Sequence, residues 1–184
     1  MCIRDSVHTV YLSPCGHTFR QADAIRLSKM DNLVLVCGHY EGIDQRFIDE
    51  CVDEEISLGD FVLTGGEIAA MAVTDAVCRM VPGVLADPEC FEDESHFSGL
   101  LEYPQYSRPA VWHGRPVPEI LLSGNHQKVD QWRRKQSLRR TRERRPDMYE
   151  QLDLSSKSDR KLLAEMERED EISQKAENDT CTLK

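Results

Sequence analysis

Apolar and polar positions in the first half of the chain follow two alternating periods. His8–Leu12 (HTVYL) is a short apolar stretch closed by SPCG, a turn signal, which predicts a strand over residues 8–12. Residues 21–30 space Ala22, Ile25, Leu27 and Met30 in a loosely helical way. In NLVLVCG, residues 33–37 form an unbroken apolar run of the kind a buried strand of a parallel sheet requires. GIDQRFIDECV then reads as a helix with Ile43, Phe47, Ile48 and Cys51 on its apolar side. EEISLGDFVLTGG predicts one or two further strand pieces. GEIAAMAVTDAVCRM is Ala-rich, has no interior Gly or Pro and stops at Pro82-Gly83, so a long helix is expected. Strand–helix–strand–helix order predicts an α/β domain with parallel strands over residues 1–84.

The pattern breaks after residue 84. Residues 85–101 read as an acidic interdomain linker (ADPECFEDESHFS), and the Pro-rich stretch EYPQYSRPAVWHGRPVPEILLSGNH reads as extended. VDQWRRKQSLRRTRERRPDMYEQL and SDRKLLAEMERED predict helices, so 102–170 is expected to be a small all-α domain. Residues 171–184 are expected to be a disordered tail. Ser123 or Asn125 suits the cap of the first long helix. The α/β half holds only about three strands where sheets usually carry about 4–6, so completion by a second chain or a missing N-terminal part is expected.

Composition narrows the class. At 184 residues, with 40% hydrophobic and 30% charged residues, the chain reads as a soluble globular protein. No apolar run approaches the ~20 residues of a membrane span, and MCIRDSVHTV lacks a signal-peptide core. Cysteines 2, 15, 37, 51, 78, 90 and 181 never form CxxC and read as reduced thiols of a cytoplasmic protein. The net charge of −10 argues against a nucleic-acid partner until its distribution is considered. From His126 to Arg145 there are 9 Lys or Arg against Asp130 and Glu143, whereas Glu41 to Asp60 holds 8 acids against Arg46. That asymmetry predicts a polyanion-binding surface on the second half.

CGH occurs at 15–17 and 37–39, but a one-residue gap is too short for the usual zinc-ligand spacing, so no metal site is expected and buried cysteines are favoured. Neither GxxxxGK[ST] nor GxGxxG is present. Three Gly-rich or polar loops, YLSPCG, CGHYEG and SLGDFVLTGG, each follow a predicted strand. In a parallel sheet they would gather at the carboxyl edge, where α/β proteins bind ligands. Glycines there let backbone N–H and C=O groups reach a flat ligand.

YLSPCG, VLVCGHYEGIDQR, EEISLGDFVLTGGE, RMVPGVL, GLLEYPQYSRP and VPEILLSGNHQKVDQWRRKQSLRRT together resemble bacterial tRNA (guanine-N1)-methyltransferases, from Val10 to about Leu163. The resemblance implies a SPOUT-class fold with a deep trefoil knot, an obligate homodimer with an active site shared between subunits, and S-adenosylmethionine (SAM) held largely by backbone groups. It implies methylation of N1 of the guanine 3′ to the anticodon, at position 37 of tRNA. A SPOUT enzyme for another RNA, and a fragment that only binds tRNA, are the alternatives. So is a helix-turn-helix protein, which would leave the three loops unexplained. On this resemblance Tyr11, Leu12, Ser13 and Pro14 line the first cofactor loop. Gly38, Tyr40, Glu41 and Gly42 form the second, and Ser57, Leu58, Gly59, Asp60, Phe61, Val62, Leu63, Gly65 and Gly66 form the third. Mg2+ enters as a family expectation with no residues assignable to it.

Guanine N1 carries a proton, so methylation there needs a positioned base and a donor at near-attack distance. Negative charge spreads to O6 as the proton leaves, and a cation there stabilises it. The family's base is an Asp in the acidic linker. Alignment from Gly99 backward places Glu94 at that position, with Asp93 just before it as the alternative, and Arg79 is the cation. The resemblance also places tRNA phosphates on the basic helix, at Lys128, Arg133, Arg134, Lys135, Arg139 and Arg140. Relatives carry further N-terminal strands, and MCIRDSVHT does not resemble them, so the expectation is a truncated chain with poor folding and little methyl transfer. Ala69 stands where relatives often carry proline.

Overall fold

The chain divides into two compact units, Met1–Cys90 and Phe91–Lys184. The structure, a computed structural model, describes residues 7–85 and 95–181.

The first unit is built on a three-stranded parallel sheet of order β2-β1-β3, formed by β1 (His8–Thr18), β2 (Leu33–Cys37) and β3 (Glu54–Ser57). Helix α1 (Gln21–Leu27) joins β1 to β2, α2 (Gln45–Cys51) joins β2 to β3, and α3 (Glu67–Cys78) follows. Alternation along the strands sends Val10, Leu12 and Ile56 to one face, where Ala24 and Leu27 of α1 and Ala69, Val73 and Val77 of α3 bury them. The α3 residues recur every four positions, so one stripe of the helix meets the sheet. Each such Val, Leu or Ile stabilises the fold by about 1.5–3 kcal/mol relative to exposure. On the same side Glu54 receives a two-pronged ion pair from Arg26 and a 2.7 Å contact from His8.

The structure sets the bounds of three segments. The SPCG segment does not end β1: pairing with β3 stops at Leu12, opposite Ile56, and resumes at His17, again opposite Ile56. Residues 13–16 loop out between the two, and Gly16 makes the return possible, because a Cβ there would lie 2.4 Å from the Glu55 carbonyl carbon. FVLTGG is not a strand; after Ser57 the chain runs as loop to α3. Helix α2 begins later than the sequence predicts, capped by the Asp44 carboxylate, which accepts from the Arg46 N–H. It has no buried residue, and Phe47 is exposed.

The second unit is helical but not all-α, because the short antiparallel strands β4 (Val111–Trp112) and β5 (Arg115–Pro116) form a hairpin. Helices α4 (Glu119–Leu122), α5 (His126–Arg144), α6 (Pro146–Tyr149) and α7 (Lys157–Cys181) follow. Asn125 caps α5, its side-chain oxygen accepting from the Lys128 N–H. Pro146 ends α5, since proline cannot continue the helix and biases the residue before it away from helical geometry. The core joins Leu100, Leu138, Leu162 and Met166. Residues 95–101, expected as linker, therefore belong to this unit: Leu100 is buried, and the Leu101 N–H donates to Thr141 Oγ1 at 2.9 Å. Helix α7 runs on to Cys181, through most of the segment expected as a tail. Polar residues such as Glu, Gln and Lys suit an exposed helix as well as they suit disorder.

Candidate functional site

The loop that interrupts β1 at residues 13–16 and the loops that follow β2 and β3 meet at one edge of the sheet and enclose a cavity of about 410 Å³. β1 is central, with β2 on one side and β3, reached from β2 across it, on the other, so this edge is a topological switch point. Every cofactor residue expected from the sequence lines it except Gly59 and Asp60. The lining also includes Ala69, the position where relatives often carry proline, and Ile43, Gln45, Ile48, Glu55 and Thr64, which sequence reasoning missed. Ile43 and Ile48 carried only the signal of a helix's apolar side, and Glu55 that of an acidic run.

Local contacts hold the three loops together. The Gly66 N–H donates to Gly38 O at 3.1 Å, His39 pairs with Gly65 as an isolated bridge, and His39 Nε2 lies 2.9 Å from Glu67 Oε1. A Cβ on Gly66 would lie 2.9 Å from the Cys37 Cα, so only glycine lets the start of α3 touch the end of β2. In the first loop Ser13 Oγ accepts from the Cys15 N–H, and in the third Ser57 Oγ accepts from the Gly59 N–H. Tyr40 holds a left-handed backbone (φ 57°) with its ring 99% exposed, a conformation uncommon outside glycine, Asn and Asp. The wall mixes apolar side chains (Leu12, Ile56, Leu58) with backbone polar groups of glycines, the composition of a small-molecule site.

The ionisable groups of the wall have defined states. Tyr11 is buried and its phenol is pushed up by that burial, then by the charges of Glu55 and Cys15. The Cys37 thiol is likewise raised by burial and by Glu67. It stays protonated near neutral pH, the state of a packing thiol and not of a nucleophile.

Arg79 forms the C-cap of α3, its N–H donating to Asp75 O at 3.1 Å, and does not line the cavity. Gly66 and Arg79 sit at opposite ends of α3, about 20 Å apart along its axis at ~1.5 Å per residue. Glu94 and Asp93 lie outside the described residues. Among the described residues no group of three or more His, Cys, Asp or Glu side chains is arranged to hold a metal ion.

In the second unit the cations expected to meet tRNA divide by helix face. Arg134 binds Asp159, Lys135 and Arg139 bind Glu169, and Arg142 binds Asp170, so α7 engages one side of α5. Arg140 donates to the Glu102 carbonyl. Arg133 lies 3.6 Å from Asp130 and 5.0 Å above the Tyr103 ring. Lys128 is exposed near the start of α5 and forms no ion pair among the described residues.

A parallel α/β unit with a loop-built cavity at its carboxyl edge, followed in the chain by a helical unit that carries the basic helix α5, defines a small-molecule-binding domain with a helical second unit. The chain belongs to the family described as tRNA (Guanine-1)-methyltransferase TrmD, whose model matches residues 1–151. That match extends over MCIRDSVHT, beyond the motifs that carry the resemblance. A tRNA (guanine-N(1)-)-methyltransferase from Ruminiclostridium cellulolyticum is 57% identical over 143 residues, covering 78% of this chain and 61% of that protein. The one from Alkaliphilus metalliredigens is 52% identical over 169 residues (92% and 68%). The one from Clostridium perfringens strain 13 is 58% identical over 154 residues (84% and 64%). The chain thus spans about three-fifths to two-thirds of the length of the relatives it matches.

Proposed function

We propose that this chain carries the donor site and part of the RNA-binding surface of a SAM-dependent enzyme that methylates N1 of the guanine 3′ to the anticodon, at position 37 of tRNA. The observation that carries this reading is the meeting of three strand-end loops around one cavity lined by nearly all the residues the family resemblance designates. The wall fits the donor. Leu12, Ile56 and Leu58 offer apolar surface to a flat purine, glycine backbone at 38, 42, 65 and 66 offers close polar contacts, and Glu41 and Glu55 face a cationic ligand. When bound, SAM supplies an electrophilic methyl group. The carboxylate of Glu94, or of Asp93, removes the proton from guanine N1, and Arg79 stabilises the negative charge that develops on O6.

The same reading makes the first unit a SPOUT domain with a deep trefoil knot, consistent with the contact of Gly65 and Gly66 against the loop after β2. It makes the active enzyme a homodimer: Arg79 stands far from the cavity along α3, so a second copy brings the catalytic pair to the donor. Exposed Phe61, Val62, Ile68 and Met71 supply apolar surface for that contact. The second unit contributes cations to the tRNA backbone, beginning with exposed Lys128. The domains are read as donor-binding over residues 1–84 and RNA-binding beyond residue 95, in a cytoplasmic enzyme.

Calorimetry with SAM, followed by counting labelled methyl groups on unmodified tRNA and on a tRNA with adenine at position 37, tests the reading. Binding with transfer to the guanine-bearing tRNA alone supports it. Absence of donor binding overturns it.

A further inference from the structure

Helix α5 has two working faces. Leu138 and Thr141 point into the core, and Arg134, Lys135 and Arg139 are tied to α7. Val129, Trp132 and Arg133, at spacings of three and four, share another face. That face, the segment 103–108 and α4 enclose a second cavity of about 490 Å³.

Its chemistry is specific. Tyr106 and Trp132 pack with ring centroids 6.3 Å apart at a tilt of 53°, and Tyr106 remains 47% exposed, leaving an open ring face. Arg133 sits 5.0 Å above the Tyr103 ring, and exposed Arg108 completes the rim. Among the described residues no Asp or Glu lines the cavity, in a chain whose net charge is −10. Arg108 forms no ion pair among the described residues, unlike the α5 cations that face α7. Open aromatic faces beside an unpaired guanidinium such as that of Arg108 are the means by which proteins hold unpaired bases and their phosphates.

We propose that this cavity takes an unpaired nucleobase of a single-stranded RNA segment, stacked against Tyr106 and Trp132, with the adjoining phosphate on Arg108. The proposal rests on the RNA-binding reading above and adds a base-reading site to a surface otherwise expected to contact backbone alone.

The probe is an oligouridylate hexamer compared with an abasic hexamer of equal charge, titrated into the full chain carrying Trp112→Phe so that Trp132 alone reports. Binding of the base-bearing hexamer about tenfold tighter, with Trp132 fluorescence quenched, is expected from the size of base–aromatic stacking. Tyr106→Ala should remove that difference while Tyr106→Phe keeps it, and Arg108→Gln should weaken both hexamers. Unchanged thermal unfolding of Tyr106→Ala guards against loss of fold. Equal affinity for the two hexamers, binding of neither, or self-association of the chain through this cavity with no dependence on bases would overturn the proposal. SAM calorimetry on the same sample reads the first unit only, so a null result here stays distinguishable from failure of the methyl-donor reading.

Discussion

Tyr11 on β1 and Glu55 on β3 are register partners in the parallel sheet, and both line the wall of the first cavity. Burial first, and the Glu55 charge second, keep the Tyr11 phenol protonated beyond its ordinary range. Glu55→Gln is therefore expected to lower the Tyr11 pKa only part of the way, because desolvation remains. Ultraviolet difference titration, with Tyr11→Phe to isolate the signal, measures it. The same substitution should weaken SAM more than its neutral thioether product, by about three- to tenfold or roughly 1 kcal/mol. Calorimetry with both ligands checks this, and equal losses would contradict the charge argument.

Gly66→Ala tests whether close approach of α3 to β2 builds the cavity. The added methyl meets the Cys37 backbone at 2.9 Å, and backbone cannot step aside as a flexible side chain can. Donor affinity should fall at least tenfold and the first unit should lose about 1–3 kcal/mol, the range for overpacking. Trp132 and Trp112 lie in the second unit, so tryptophan fluorescence should report its unfolding unchanged.

Acid should destabilise the first unit through Glu54. Burial alone would raise its carboxyl, but hydrogen bonds from Arg26 and His8 outweigh it and hold the pKa below the ordinary value near 4.5. A carboxylate with a lowered folded-state pKa contributes stability that is present above the unfolded pKa and is lost as pH falls through the folded one. The loss should begin below about pH 4.5 and continue downward. Glu54→Gln should lower stability at neutral pH and flatten that acid limb, measured by denaturant unfolding across the range.

On the proposed RNA-binding reading, the acids of α7 compete with RNA for the cations of α5. The double substitution Glu169→Gln, Asp170→Asn should release Lys135, Arg139 and Arg142 from their ion pairs. Affinity for tRNA should rise at low salt, and the slope of log affinity against log salt should steepen by up to about 0.9 for each released cation that reaches a phosphate. Stability should change by only about 0–1 kcal/mol per pair, as these groups are partly exposed. Filter binding over a salt series measures the slope, and an unchanged slope would show that this face never meets RNA.

The legible parts of the fold share a cause. The run LVLVC identifies β2 because β-branched and apolar residues favour a strand, although β2 proves to be an edge strand and only half-buried, and EIAAMAVTDAVC identifies α3 because one apolar stripe of it packs on the sheet and on α1. The cavity loops were legible as Gly-rich ends of such strands. What stayed hidden depends on partners distant in sequence. The return of β1 beside Ile56 requires Gly16 to meet the Glu55 backbone, and nothing in SPCGHT states that. Arg134 and Lys135 looked like solvated cations until α7 brought Asp159 and Glu169 against them. Residues 95–101 read as linker because their one large contribution to packing, Leu100, fills a gap between helices that begin more than twenty residues later.

By itself the sequence determined the order of elements, the family, and the three loops that end the strands, because periodicity and glycine placement are local properties written residue by residue. Tertiary structure alone decided which of those loops close on a shared space, which charges are already neutralised, and where the second unit begins. Those outcomes come from contacts between segments whose separation along the chain leaves no periodic trace, and their energies exist only once the segments meet.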